Sequence, residues 1–91
     1  MLEIERSTAF KRDYKREAKG QHRATLDDAL VPVLVALASG KTLAPKYKDH
    51  DLSGDWAGYR DCHIKPDLVL IYKRADTLRL ARLGSHSELF S

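Results

Sequence analysis

The sequence predicts a small α+β domain in which a short N-terminal strand, two helices and a three-stranded antiparallel meander complete one sheet. Three observations predict it. Apolar and charged residues alternate at 2–6, apolar residues recur every three or four positions from 10 to 38, and from residue 56 the period returns to two. No internal repeat, low-complexity stretch or interdomain linker interrupts the 91 residues, so all of them are expected in one domain.

Leu2 and Ile4 against Glu3 and Glu5 give the first strand one apolar face. Ser7 or Thr8 can cap the next helix, along which Phe10, Tyr14 and Ala18 form a core-facing stripe, and Gly20 can end it in a left-handed conformation. Leu26, Ala29, Leu30, Val33, Leu34, Leu37 and Ala38 define the second helix, with Thr25 placed as in a capping box. Pro32 lies inside it. Because the apolar phase is unchanged across the proline, a kink is expected rather than a break. Gly40 closes the helix and 42–46 link it onward. Strands then follow at 56–64, 68–74 and 77–84, joined by short turns at 65–67 and 75–76. Leu68 to Tyr72 is apolar on both faces, which suits a central strand with helices covering one side.

Composition narrows the function classes. The 43% hydrophobic and 32% charged residues fit a globular protein, and no apolar run is long enough to span a bilayer. The acidic N-terminus does not resemble a signal peptide, so a cytoplasmic protein without membrane association is expected. One cysteine, Cys62, excludes an internal disulfide. The net charge is +3, and seven of the sixteen Lys and Arg residues fall before residue 25, with Lys41, Lys46 and Lys48 preceding His50. Such a distribution attracts polyanions, although a solvated helix face has the same composition.

The chemistry concentrates between Tyr47 and Tyr72. Alternation puts Tyr59, Asp61 and His63 on one side of a strand, with Arg60, Cys62 and Ile64 on the other. With helices on the Cys62 side, a carboxylate and an imidazole share the open face, a pattern suited to acid–base work near neutrality. His50 ahead of this strand, Asp67 in the turn behind it and His86 past the last strand can converge at one end of a meander. Arg82, Lys48 and Arg60 could neutralise a phosphate, and Phe90 or Tyr59 could stack on a base. A zinc site from the three histidines and a carboxylate has suitable ligand types but no short-spaced ligand pair. Cys62, facing the core, is a poor nucleophile. No phosphate-cradling glycine loop is present.

The run from Tyr47 to Lys73, with its Lys48-Asp49-His50-Asp51-Leu52-Ser53-Gly54-Asp55-Trp56 opening, and the ending from Arg82 to Phe90 resemble the YafQ branch of the RelE/ParE superfamily of toxin–antitoxin toxins. The resemblance implies a RelE-like fold and a ribosome-dependent mRNA endonuclease that cuts translated messages in the ribosomal A site. It implies metal-independent attack of a ribose 2′-hydroxyl on the adjacent phosphate, with no cofactor. Catalytic roles then fall to His50, His63, Asp67 and His86, with Asp61, Arg82 and Phe90 supporting the cleft. Lys11, Lys15, Lys19, Lys48 and Arg60 are the expected contacts to RNA and ribosome. The implied partners are the ribosome with its mRNA and a cognate antitoxin, through which operator DNA is bound indirectly. Two alternatives share the fold: a ParE-like toxin that binds DNA gyrase, and a DNA-binding co-repressor acting with its antitoxin. Neither needs His50, His63, Asp67 and His86.

Overall fold

The computed structural model describes residues 1–90. Its elements run β1 (Ile4–Arg6), α1 (Thr8–Ala18), α2 (Leu26–Ala38), β2 (His50–Asp51), β3 (Arg60–Lys65), β4 (Leu68–Arg74), β5 (Leu78–Gly84) and α3 (His86–Phe90), with 3-10 turns at Pro45–Tyr47 and Gly54–Trp56. The five strands form one mixed sheet in the order β1-β5-β4-β3-β2, and β1 runs parallel to β5 while the other pairs are antiparallel. The expected meander is β3 to β5. The two-residue β2 is an addition, too short to carry a period of its own.

β4 is central and buried on both faces. Leu68, Leu70 and Tyr72 pack with Cys62, Leu80 and Leu83 against Phe10 of α1 and Leu26, Leu30, Val33 and Leu37 of α2. Val69 and Ile71 point the other way, into a smaller cluster with Ala81 and Leu89. The larger core is thus helix on sheet, and the smaller one forms the floor of the opposite face.

Ser7 caps α1 as expected, its Oγ accepting from the Phe10 N–H at 2.9 Å, an interaction that contributes about 1 kcal/mol. Three expectations for the helices fail locally. Ala18 is exposed, and the polar Asp13 is buried in the helix instead. Gly20 has an ordinary backbone, because bonds from Lys19 N–H to Arg16 and Gly20 N–H to Glu17 tighten the last turn without a left-handed residue. Thr25 makes no capping bond; its hydroxyl takes the Lys65 ammonium. The helix α2 runs unbroken through Pro32. It ends at Gly40, whose φ of 78° allows the paired bonds Gly40 N–H to Leu37 and Lys41 N–H to Ala36 that define a Schellman stop. On β1, Ile4 is 43% exposed, and Leu2 packs on the core in its place. The strand expected from residue 56 begins at Arg60, since a 3-10 turn and Gly58 at φ 91° occupy the preceding residues.

β1 pairs only with residues 78–80 of β5. Beyond it, side chains of α1 serve the uncovered strand edge: Ser7 Oγ donates to the Ala81 carbonyl at 2.7 Å, Asp13 accepts from Leu83 N–H at 3.0 Å, and Arg16 donates to the Leu83 carbonyl at 2.9 Å. Asp13 is 3% exposed and also holds Arg82 through two bonds, Nε at 2.7 Å and Nη2 at 3.3 Å. Burial pushes its pKa up, but the Arg82 hydrogen bond, the Leu83 N–H and the charges of Arg82 and Arg16 outweigh it and leave the pKa below 3.8. The stabilisation is therefore complete above pH 3.8 and is lost as pH falls through the lower folded-state value. Replacing Asp13 by Ala strands the Leu83 N–H and leaves the Arg82 and Arg16 guanidinium groups without their shared carboxylate, and should cost about 3 kcal/mol in denaturant unfolding at pH 7. That difference should shrink on acidification below pH 3.8; an undiminished gap would show that the carboxylate charge is not responsible.

Candidate active site

On β3, Cys62 and Ile64 enter the helix-side core, which leaves Asp61 and His63 on the opposite face, as the alternation requires. β2 places His50 directly across from Asp61, and Asp61 stands opposite Ile71 of β4, which in turn faces Arg82. Asp61 is 2% exposed. Its Oδ1 lies 3.0 Å from His50 Nδ1, but that ring nitrogen donates to the Lys48 carbonyl at 2.9 Å, so the buried oxygen has no aligned donor. Burial raises the Asp61 pKa, His50, His63 and His86 each oppose the rise by their charge, and Asp49 adds to it. One desolvated carboxyl group thus has His50 in direct contact and feels the charge of His63 and His86 as well.

His86 arrives on α3. Five residues carry too little periodicity to announce a helix, yet Ser85 and Glu88 form a reciprocal cap: Ser85 N–H donates to Glu88 Oε1 at 2.9 Å, and Glu88 N–H to Ser85 Oγ at 3.2 Å. This Ser-x-x-Glu signal was present in the sequence and is the local reason the chain turns into a helix here. One turn on, Phe90 lies against His86 with ring centroids 4.6 Å apart. Leu89 anchors the helix in the smaller core, where Leu52, Trp56, Tyr59 and Phe90 also pack. The imidazoles thus stand at the margin of an apolar floor.

Other candidate residues are placed differently. Asp67 is at the β3–β4 turn, where it accepts from Gln21 at 2.8 Å and pairs with His22 at 3.1 Å. It joins the α1–α2 connection to the turn, and the carboxyl group among the other three histidines is Asp61. His22 is a histidine that the sequence pattern did not single out. Arg60 lies on the helix-side face and is bound by Asp49 and Asp51 at 3.3 and 2.5 Å, so it is neutralised within the protein rather than free for phosphate. Asp49 also accepts from the buried Tyr72 hydroxyl at 2.5 Å, which ties the segment before β2 to the centre of the sheet. Arg82 is held by Asp13 on its Nε side, while Nη1 makes no hydrogen bond among the described residues. Lys11 and Lys15 are exposed on α1 and Lys19 at its C-terminal cap, and Lys48 is exposed near His50. Burial, with Asp49 and Asp61 adding to it, pushes the Cys62 thiol up to about 12, so it is protonated at neutral pH and is no nucleophile. Among the described residues, no group of three histidine, cysteine or acidic side chains is arranged to hold a metal ion, and no helix is long and apolar enough to cross a membrane.

A family model described as the bacterial toxin of type II toxin–antitoxin systems, YafQ, matches residues 2–91. The chain belongs to the YafQ toxin family. The mRNA interferase toxin YafQ of Escherichia coli K12 is 39% identical over 90 residues, covering 96% of this chain and 98% of that one. The toxin in the crystal structure of the E. coli DinJ–YafQ complex superposes with a TM-score of 0.84 at 39% identity over 100% of both chains. A copper-bound mutant toxin from Helicobacter pylori gives 0.86 at 39% identity, over 99% of this chain and 100% of that one. The α+β fold with its five-stranded mixed sheet is the fold of the YafQ toxins.

Asp61 also makes a stability prediction. Its folded-state pKa is raised above 3.8, so ionisation costs stability as pH rises through the folded value, and the cost vanishes below 3.8. Asp61→Asn should unfold at a higher temperature than wild type at pH 7, with the two midpoints converging toward pH 3.8. A variant that is less stable at neutral pH would mean that the histidines compensate the buried charge in full.

Proposed function

We propose that this toxin is a ribosome-dependent mRNA endonuclease acting in the cytoplasm, and that it cuts translated mRNA in the ribosomal A site by attack of the ribose 2′-hydroxyl on the adjacent phosphate. The observation that carries this reading is the buried Asp61, with His50 3.0 Å from it and the charges of His63 and His86 acting on it. The identity of the E. coli relative as an mRNA interferase supports it.

Internal attack requires a base for the 2′-hydroxyl, an acid for the departing 5′-oxygen and positive charge for the phosphorane. His50 or His63 takes the first proton, which leaves that imidazole charged beside Asp61. His86, on α3, gives a proton to the 5′-oxygen. The 2′-oxygen–phosphorus bond forms as the phosphorus–5′-oxygen bond breaks, giving a 2′,3′-cyclic phosphate and a 5′-hydroxyl. Arg82 offers Nη1 to the phosphate while Asp13 fixes the other edge of its guanidinium, and Phe90 stacks on a base. Asp67, held with Gln21 and His22, acts from the strand end. The chemistry uses no metal or other cofactor. Lys11, Lys15, Lys19 and Lys48 supply the field that draws in RNA.

The toxin is held inactive by a cognate antitoxin, as the pairing of E. coli YafQ with DinJ in one crystal suggests. A groove of about 640 Å³ between α1, α2 and β1 offers an apolar bed of Ile4, Phe10, Val31 and Leu34 beside Arg6, Lys11 and Lys15, and suits an acidic amphipathic segment of that antitoxin. Operator DNA is bound through the antitoxin.

Mapping of cut sites in a reconstituted translation reaction is the direct test. Cleavage is expected with translating ribosomes, in the presence of chelator, leaving cyclic phosphate ends; intact message would instead favour a gyrase poison or a co-repressor. His63→Ala and His86→Ala should each lower cleavage about 100-fold and remove growth inhibition while preserving the fold and antitoxin binding. Val31→Glu, at a position 49% exposed in the groove, should weaken antitoxin binding at least tenfold in calorimetry and leave cleavage intact.

A further inference from the structure

Lys48 is the only residue other than glycine, among the described residues, with a positive φ. Its φ of 51° and ψ of 40° put it in the left-handed region, which lysine does not favour. The segment leaves it little choice. Lys48 N–H closes the Pro45–Tyr47 turn on the Pro45 carbonyl at 3.1 Å, and the next residue, Asp49, is pinned by the Tyr72 hydroxyl and Arg60. Backbone held against its preference by its surroundings at a candidate site points to a use for the conformation.

The use is visible in the following residue but one. The Lys48 carbonyl meets His50 Nδ1 at 2.9 Å. A carbonyl only accepts, so the hydrogen belongs to Nδ1, and in the neutral ring the lone pair is then on Nε2. Asp61 Oδ1, 3.0 Å from the same nitrogen, favours a hydrogen there as well. The His50 side chain is 56% exposed, so packing alone does not choose the ring orientation.

We propose that Lys48 is a positioning residue: its left-handed backbone, rather than its ammonium group, aims the carbonyl that fixes His50 as the Nδ1–H tautomer and so presents Nε2 as the proton-accepting atom. The assignment of Nε2 as the base rests on the cleavage reading; the tautomer does not. An extended or right-handed Lys48 would turn its carbonyl away, and the imidazole would lose the acceptor that orders it.

Heteronuclear NMR of the imidazole nitrogens in labelled toxin reads the tautomer of the neutral ring directly. Wild type should show Nδ1–H at His50, and Lys48→Gly, which keeps the left-handed backbone, should show the same. Lys48→Val, whose branched side chain disfavours that conformation, should shift the population toward Nε2–H. Both variants lack the ammonium, so their ratio isolates the backbone: Lys48→Val should cleave at least tenfold more slowly than Lys48→Gly. Lys48→Asn, lacking the charge but tolerant of the left-handed region, should follow Lys48→Gly. A wild-type Nε2–H signal, an Nδ1–H signal that survives in folded Lys48→Val, or equal cleavage by the Gly and Val variants overturns the proposal. Absence of RNA cleavage by wild type would count against the functional reading and leave the tautomer measurement to stand on its own.

Discussion

Asp13 is the point on which the arrangement of the sheet edge depends. β1 ends at Arg6, two residues before α1 begins to run along the uncovered part of β5. A strand edge left unserved there would bury unpaired backbone groups. The Asp13 carboxylate takes the Leu83 N–H and the Arg82 guanidinium together, and Arg16 closes the neighbouring carbonyl. One helical turn thereby substitutes for a missing stretch of strand, and it fixes α1 on the sheet by polar contacts as well as by Phe10.

The same contact governs how Arg82 meets the opposite face. β5 is irregular beside it, with the pairing to β4 shifting between Ile71 and Tyr72. A bulge of this kind places consecutive residues toward one side, and Ala81 enters the smaller core while Arg82 turns along the strand edge. Asp13 then takes up the guanidinium's Nε side. Farther in, β3 and β4 carry Asp61, His63, Val69 and Ile71, and the β3–β4 pairing keeps its register through Asp61 and His63 before it shifts toward Lys65. Arg16 and Glu88, 3.5 Å apart, link α1 to α3 and with it to His86. Helix side chains at the sheet edge thus bear on both the cation and one imidazole.

Much of this was legible in the sequence, for physical reasons. Period two located β3, β4 and β5, because a half-buried strand writes alternation into its residues, and the doubly apolar run from Leu68 to Tyr72 named the central strand. The same alternation separated Asp61 and His63 from Cys62. What escaped were features set by tertiary geometry or by segments too short for a period. Asp13 looks like any polar helix residue until the end of β1 leaves β5 uncovered. Arg60 looked available for phosphate because its partner Asp49 is eleven residues away in a loop. Asp67 looked like a companion of the nearer histidines, whereas its turn lies against His22. Ser85 and Glu88 did carry a signal for α3, but it is a capping signal and not a periodic one.

The two-residue β2 gives the histidine face an on–off character. Side chains alternate along a strand, so a slip of one position would set Asp51 against Asp61, bring two carboxylates together and carry His50 to the other side of the sheet. Two residues hold too few ladder bonds to forbid such a slip by themselves. The safeguard lies next door, where Tyr72 in the central strand grips Asp49 and Arg60 bridges Asp49 to Asp51. An acidic residue that touches none of the candidate reacting groups therefore sets the phase of the strand that presents one of them.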